Sequence, residues 1–341
     1  MQPISKNARV DDAGDVAPPN RWRSLQNVLK VVVSMGLLAL VISQTDLSAV
    51  WDQVARADAV GLLLAFLVVQ AGVMLRAGRW MALMRGLGDT SSYATLLYLY
   101  YVGAFFNTFL PTGFGGDAIR IYELSQGGST ASAISTVLAE RALGLLVQFA
   151  VALVVLPFAW HLVPSEIALL LLAIVVLAFV GTALFMNRGV MAWVASHVPL
   201  AKPVLTHPKV QALYASFHRY PSRSLVQAVG VSLIFAVTLV VSQLLLGRAI
   251  GIDLGLAHYA VFVPILSTVL LVPITIGGLG VREGGYVLLF GQAGVPQDQA
   301  LALSLLTYAM ALVSGIIGGV LYVIVGALRL RAVRDRPSDS R

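Results

Sequence analysis

The stretch Ile167–Met186 contains Leu169-Leu170-Leu171-Leu172, Ile174-Val175-Val176-Leu177 and Phe179-Val180, and not one charged side chain. In hydrocarbon no water competes for the peptide groups of such a run, and a single segment satisfies all of them only as a helix. About 20 apolar residues at 1.5 Å each cross a hydrocarbon core of roughly 30 Å. The chain repeats this pattern. Apolar stretches at about 28–43, 60–84, 94–110, 130–158, 166–187, 224–250, from 256 onward and 299–328 occupy most of its 341 residues. Only 11% of the residues are charged and 58% are hydrophobic, with a mean hydropathy of +0.85, whereas a soluble domain carries roughly 25% charged residues. The pattern predicts an all-α polytopic membrane helix bundle of about eight spans, with no length left for a sizeable soluble domain.

Several chemistries are excluded at once. The chain has no cysteine, which removes disulfides, thiolate metal sites and a cysteine nucleophile. Its five histidines are scattered, with no His-x3-His or His-Glu-x2-His spacing, so no metal and no cofactor is expected. The net charge of +7 sits in short segments between apolar runs, where basic residues set orientation; it is not a nucleic-acid footprint. Gln44–Asp58 holds Asp46, Asp52 and Asp58 against Arg56 alone, while Arg188–Arg223 holds Arg188, Lys202, Lys209, Arg219 and Arg223 with no acid. By the lysine/arginine bias the first is outside and the second cytoplasmic. Arg329, Arg331, Arg334 and Arg336 place the C-terminus inside as well. The expected organisation is a disordered cytoplasmic tail (1–27), one transmembrane domain (28–330) and a basic cytoplasmic tail (331–341). The domain has halves of about 28–187 and 224–330, joined by a basic connection, 188–223, that carries a surface helix or two. The expected location is a bacterial inner (plasma) membrane.

Two stretches interrupt the spans in matching fashion. Pro111-x3-Gly115-Gly116-x3-Arg120 returns as Pro273-x3-Gly277-Gly278-x3-Arg282, about 160 residues later. Proline ends a helix by removing a donor and clashing with the preceding turn. Paired glycines accept backbone angles that other residues resist. Parity fixes how the two breaks enter. The chain from Ala94 through the first break to Gly128 starts and ends in the cytoplasm, and the chain from Leu256 through the second to Asp298 starts and ends outside. Two re-entrant broken hairpins entering from opposite faces form an inverted repeat, the layout that brings helix breaks together near the bilayer midplane.

The chemistry gathers at these breaks: Asn107, Asp117, Arg120, Glu123, Glu140, Arg141, Arg282 and Glu283, with glycine backbone at Gly115, Gly116, Gly277, Gly278 and Gly280. A charge at the bilayer centre costs roughly 2.5–3.5 kcal/mol even on insertion scales, so several together need a reason. Arg120 and Arg282 follow tight glycine turns at the start of new half-helices, an arrangement suited to a phosphate or other anion. Asp117 has an alternative role as the N-cap of its own helix. Glu140 and Glu283 adjoin Arg141 and Arg282, but neighbours on a helix point about 100° apart, so pairing across helices is open. The whole set also reads as a structural ion-pair network. Arg76 and Arg79 share a helix face near the inner end of the second span, either as snorkelling anchors or as a phosphate-facing pair. The glycine runs lack the Gly-Lys-Ser/Thr of a phosphate loop, and Gly315, Gly318 and Gly319 read as close helix packing.

Together, Arg76-x2-Arg79-Trp80, Asn107-x3-Pro111-x3-Gly115-Gly116-Asp117-x2-Arg120, Glu140-Arg141 and Pro273-x3-Gly277-Gly278-x-Gly280-x-Arg282-Glu283 carry a resemblance. Over about residues 25–330 the chain resembles the transmembrane family named for lysylphosphatidylglycerol synthase, the flippase-like proteins also called UPF0104. The resemblance implies an eight-span-like bundle with re-entrant segments that moves an aminoacylated phospholipid between leaflets. Its best-known members add a soluble aminoacyl-transferase domain; this sequence stops at Arg341, so aminoacylation is not expected of it. Gly144 and Gln148 stand where members often carry an acidic residue. The expectation is a membrane lipid translocator for a phospholipid or a polyprenyl-phosphate-linked lipid, with no nucleic-acid partner and with oligomeric state left open. The rival expectations are an intramembrane lipid or polyprenyl-phosphate transferase, and a non-catalytic partner of a separately encoded lipid-modifying enzyme.

Overall fold

The computed structural model describes residues 35–36, 40–41, 43, 46–109, 115–126, 130–160, 165–198, 202–205, 207–270, 275 and 278–334. The tail 1–27, most of the first apolar stretch, Pro111, Pro273, Gly277 and residues 335–341 lie outside them. Every regular element among the described residues is a helix.

The segment read as an outside loop holds a short helix, α1 (Leu47–Ala55), because Asp46 caps it by accepting from the N–H groups of Ser48 and Ala49. Asp58 does the same for α2 (Ala59–Gly86) through Val60 and Gly61. Both satisfy donors that the first helical turn leaves unpaired. Helix α3 (Tyr93–Phe109) runs to the first break, α4 (Gly115–Ser125) follows it, and α5 (Thr130–Ala159) and α6 (Ser165–Met186) complete the first half. The basic connection forms α7 (Arg188–His197), α8 (Lys202–Leu205) and α9 (Pro208–Phe217). The second half comprises α10 (Ser222–Ala249), α11 (Leu256–Val269) up to the second break, α12 (Val281–Gln292) and α13 (Gln297–Arg334).

Five of the described helices are long and apolar enough to cross a membrane: α2, α5, α6, α10 and α13. The helices that run into the breaks, α3 and α11, are shorter. Many large apolar side chains point outward, such as Leu169, Leu170 and Leu177 on α6, Val226 and Val237 on α10, and Val320 and Val323 on α13. A water-facing surface would not tolerate so many; lipid does.

Inside, polar and small residues hold the bundle. Helices α2 and α10 lie antiparallel along their whole length, since a Cβ built on Gly61 would meet Ala249, one on Gly72 would meet Phe235 and Thr238, and one on Gly86 would meet Ser224. Small residues let backbones approach where lipid provides no hydrophobic drive. Helix α3 packs on α13, α5 on α11, α4 on α5 and α12 on α13. The expected packing glycines on the last span do that work: added Cβ atoms on Gly315, Gly318 and Gly319 would run into Thr108, the Tyr101 backbone and the Phe105 ring. Gln70 of α2 donates to Ser314 of α13 at 2.9 Å and accepts from the Tyr101 hydroxyl of α3 at 2.9 Å. Gln243 of α10 bonds Thr307 of α13 at 3.0 Å, and the Tyr286 hydroxyl of α12 lies 3.4 Å from the same threonine. The buried core has one cluster around Trp80, Leu96, Leu99 and Tyr100, and a larger one around Tyr259, Phe262, Phe290 and Leu301.

Candidate functional site

The first break is shaped by how closely α4 approaches α3. The Asn107 side-chain oxygen, on α3, accepts from the N–H of Gly116 at 2.8 Å. Asn107 therefore supplies the partner that a new helix start requires. Only glycine fits at 116: a Cβ there would lie 2.6 Å from the Asn107 amide nitrogen and closer still to the Gly103 carbonyl. With the cap provided from outside, Asp117 is not the N-cap. It sits in the first turn of α4, buried, with its carboxylate turned to arginines.

Those arginines form a network drawn from four helices. Glu140 of α5 is 2% exposed. Its Oε1 accepts from Arg79 of α2, from Nε at 2.9 Å and also from Nη2. Its Oε2 accepts from Arg120 Nη2 at 3.3 Å. Arg79 Nη1 donates to Ser232 of α10 at 3.1 Å. Asp117 accepts from Arg120 Nη1 at 3.3 Å and, on its other oxygen, from Arg141. The Arg120 guanidinium lies 4.0 Å from the Trp80 ring centre and 4.2 Å from that of Tyr100. Aromatic faces attract a guanidinium electrostatically, so this arginine is held on two sides. The Arg79 guanidinium lies against the backbone of α5 at Gly144, where an added Cβ would come within 2.7 Å of its nitrogens.

Beside the network lies a cavity of about 330 Å³, lined by Arg76, Arg79, Arg120, Arg141, Asp117, Glu140, Asn107, Tyr100, Gln148, Phe235 and Ser267 among others. Four guanidiniums face two carboxylates, an excess of two positive charges. Arg76 differs from the other three. No carboxylate among the described residues lies within ion-pair distance of it, and its guanidinium is 5.1 Å from the Phe235 ring centre and 5.5 Å from that of Tyr100. On three of its lining residues a buried donor has no hydrogen-bond partner among the described residues: Arg76 Nε, Arg120 Nε and Gln148 Nε2. Buried donors are almost always paired, and exceptions call for an explanation. All three lack an acceptor, and none lacks a donor.

The second break is built differently. Gly278 and Gly280 have φ of +76° and +80°, a region that costs other residues roughly 1–2 kcal/mol. The Gly280 N–H donates to Glu283 Oε2 at 2.7 Å, and Glu283 Oε1 accepts from Arg282 Nε and Nη2 at 3.1 and 2.7 Å. These adjacent residues thus pair with each other, whereas Glu140 and Arg141 pair across helices. Arg282 also lies over Tyr308 at 4.4 Å. Both Arg282 and Glu283 are buried, and neither lines the cavity at the first break.

Of the residues expected at the site, Arg76, Arg79, Asn107, Asp117, Arg120, Glu140 and Arg141 come together, and Gly115 and Gly116 start the helix that aims two of them. Gly278, Gly280, Arg282 and Glu283 form a separate cluster, and Glu123 is on α4 away from the cavity lining. Pro111, Pro273 and Gly277 lie outside the described residues. Gln148 was noted only as standing where members often carry an acid, and Ser232, Phe235 and Ser267 had not been singled out. Trp80 was legible as a neighbour of Arg79. Ser232 and Phe235 have no local signal, because they arrive from the other half of the chain.

The profile described as the lysylphosphatidylglycerol synthase TM region matches residues 27–319. The chain belongs to this family. A UPF0104 membrane protein of Archaeoglobus fulgidus is 24% identical over 275 residues, covering 75% of this chain and 84% of the relative. A UPF0104 membrane protein of Pyrococcus horikoshii is 24% identical over 126 residues. That match covers 36% of this chain and spans 38% of the relative. The matched region contains both glycine breaks and every residue of the arginine–carboxylate network. With five apolar helices of spanning length, this member of the family is a multi-pass membrane protein.

Proposed function

We propose that the protein moves a phosphate-bearing lipid between leaflets, with the phosphate held in the cavity at the first helix break. The carrying observation is the excess of two positive charges among the described residues that line the cavity, with Arg76 beside no carboxylate among them. A phosphate presents several strong acceptor oxygens and negative charge, and guanidiniums match it. A charge inside a membrane bundle is a functional pointer in its own right.

Two further features favour a lipid. An apolar cavity of about 510 Å³ between α5, α6, α9 and α10 shares Leu145 with the polar one. A headgroup in the first and a hydrocarbon chain in the second match the two chemistries of a lipid. The helix pairings also support the inverted repeat: exchanging the halves turns α3 on α13 into α11 on α5, and α4 on α5 into α12 on α13. It leaves the antiparallel pair α2 and α10 in place. Such a repeat offers alternating access by rocking one half against the other. On this reading the termini are cytoplasmic and the membrane is the bacterial inner membrane.

The test is leaflet exchange of a labelled anionic phospholipid in proteoliposomes, for wild type, Arg76→Ala and Arg282→Ala. Exchange in wild type that is lost in Arg76→Ala is the expected result. Absence of exchange from the folded wild-type protein would overturn the reading and move weight to a transferase or to a partner of a separate synthase.

A further inference from the structure

We propose that the cavity selects a lipid phosphomonoester, a headgroup carrying two negative charges, over phosphodiester lipids and over lipids with a cationic aminoacyl headgroup. This rests on the translocator reading above and adds the substrate class.

The inference follows from what each charged group already holds. Glu140 is shared by Arg79 and Arg120, and Asp117 by Arg120 and Arg141. Neither carboxylate is free to take an ammonium group. A cationic headgroup would thus meet four guanidiniums with no acid to spare. Gly144 and Gln148 bring no charge either; Gly144 instead lets Arg79 lie flat on α5. Among the described lining residues, four guanidiniums stand against two carboxylates, leaving two positive charges. A phosphodiester neutralises one of them. A phosphomonoester neutralises both above its second ionisation, near about pH 6. The arginines keep their charge throughout, so any pH dependence of selection below neutrality comes from the lipid.

The experiment measures leaflet exchange by the full chain in proteoliposomes doped with tail-labelled phosphatidic acid, phosphatidylglycerol, lysyl-phosphatidylglycerol or phosphatidylcholine. At pH 8 phosphatidic acid should exchange at least about tenfold faster than phosphatidylglycerol, since one more unit charge is compensated at short range in a poorly screened site. The ratio should fall toward one at pH 5. Gln148→Glu removes one unit of positive excess while leaving every arginine in place, and it should shrink the preference at pH 8. Equal rates for the first two lipids, or fastest exchange of the lysyl lipid, would overturn the phosphomonoester assignment while leaving the translocator reading intact. Absence of exchange for all four would overturn both. A free-phosphate site is distinguished by binding of labelled inorganic phosphate to the protein in phosphatidylcholine nanodiscs. Binding that phosphatidic acid fails to displace would also overturn the lipid assignment.

Discussion

Glu140 is the residue whose loss the bundle should feel most, and the size of the effect follows from its partners. It is 2% exposed and joins Arg79 on α2 to Arg120 on α4. Replacing it by leucine leaves Arg79 with neutral partners alone, Ser232 and Tyr100, and no counter-charge among the described residues. Arg120 keeps Asp117 and its two aromatic faces. Removing one member of a buried ion pair typically costs about 3–5 kcal/mol, mostly from the charge left behind, whereas removing both members is far milder. Glu140→Leu should therefore lower unfolding free energy by about that amount. Arg79→Leu should be less severe, because Glu140 still holds Arg120. The double variant should recover at least about 1–2 kcal/mol relative to the sum of the singles, within the usual range for contacting residues. The assay is unfolding in mixed micelles on titration with dodecyl sulfate, followed by circular dichroism. A double variant additive to within about 0.5 kcal/mol would refute the argument that these two groups hold each other.

Arg76→Ala should separate function from stability: it removes two aromatic–guanidinium contacts and no ion pair among the described residues, so unfolding should shift by no more than about 2 kcal/mol, while phosphate-lipid exchange is lost. The same micelle titration and the exchange assay check the two halves of that statement. Gly280→Ala should destabilise by about 1–2 kcal/mol, because φ of +80° leaves no relaxed place for a Cβ, and thermal unfolding reads it. Asp46 is held below the ordinary aspartate range, first by the Ser48 hydroxyl and then by the N–H groups of Ala49 and Ser48. A carboxylate with a lowered folded-state pKa stabilises above its unfolded value and loses that contribution as pH falls through the folded one. Amide exchange in Leu47–Ala55 should thus accelerate, relative to the rest of the chain, below about pH 4, and Asp46→Asn should remove that dependence.

Much of the architecture was legible because lipid imposes simple rules. Uncharged runs such as Ile167–Met186 leave no choice but helix, and α5, α6 and α10 end within a residue or two of where charge and proline patterns put them. Both breaks were visible through proline and paired glycine, although glycine serves a different purpose at each. At Gly116 it permits close approach to α3; at Gly278 and Gly280 it permits positive φ. Side-chain pairing was not legible. Arg79 and Glu140 are 61 residues apart and meet only because α2 and α5 are neighbours in the bundle. Periodicity cannot express that. The two motif arginines look equivalent in sequence, yet Arg282 is held by its own neighbour and Arg120 is shared by two carboxylates from different helices. Arg76 looked like a snorkelling anchor as much as a ligand. What sets it apart is that no carboxylate among the described residues stands beside it, and that is visible only in three dimensions.

The central claim is that Arg76 and its neighbours hold a lipid phosphate in the first-break cavity. Native mass spectrometry of the full chain, released from nanodiscs containing phosphatidic acid among excess phosphatidylcholine, tests it most directly. The account expects phosphatidic acid to be retained by wild type and lost from Arg76→Ala, with phosphatidylcholine adducts unchanged. Equal retention of phosphatidic acid by both proteins would contradict it.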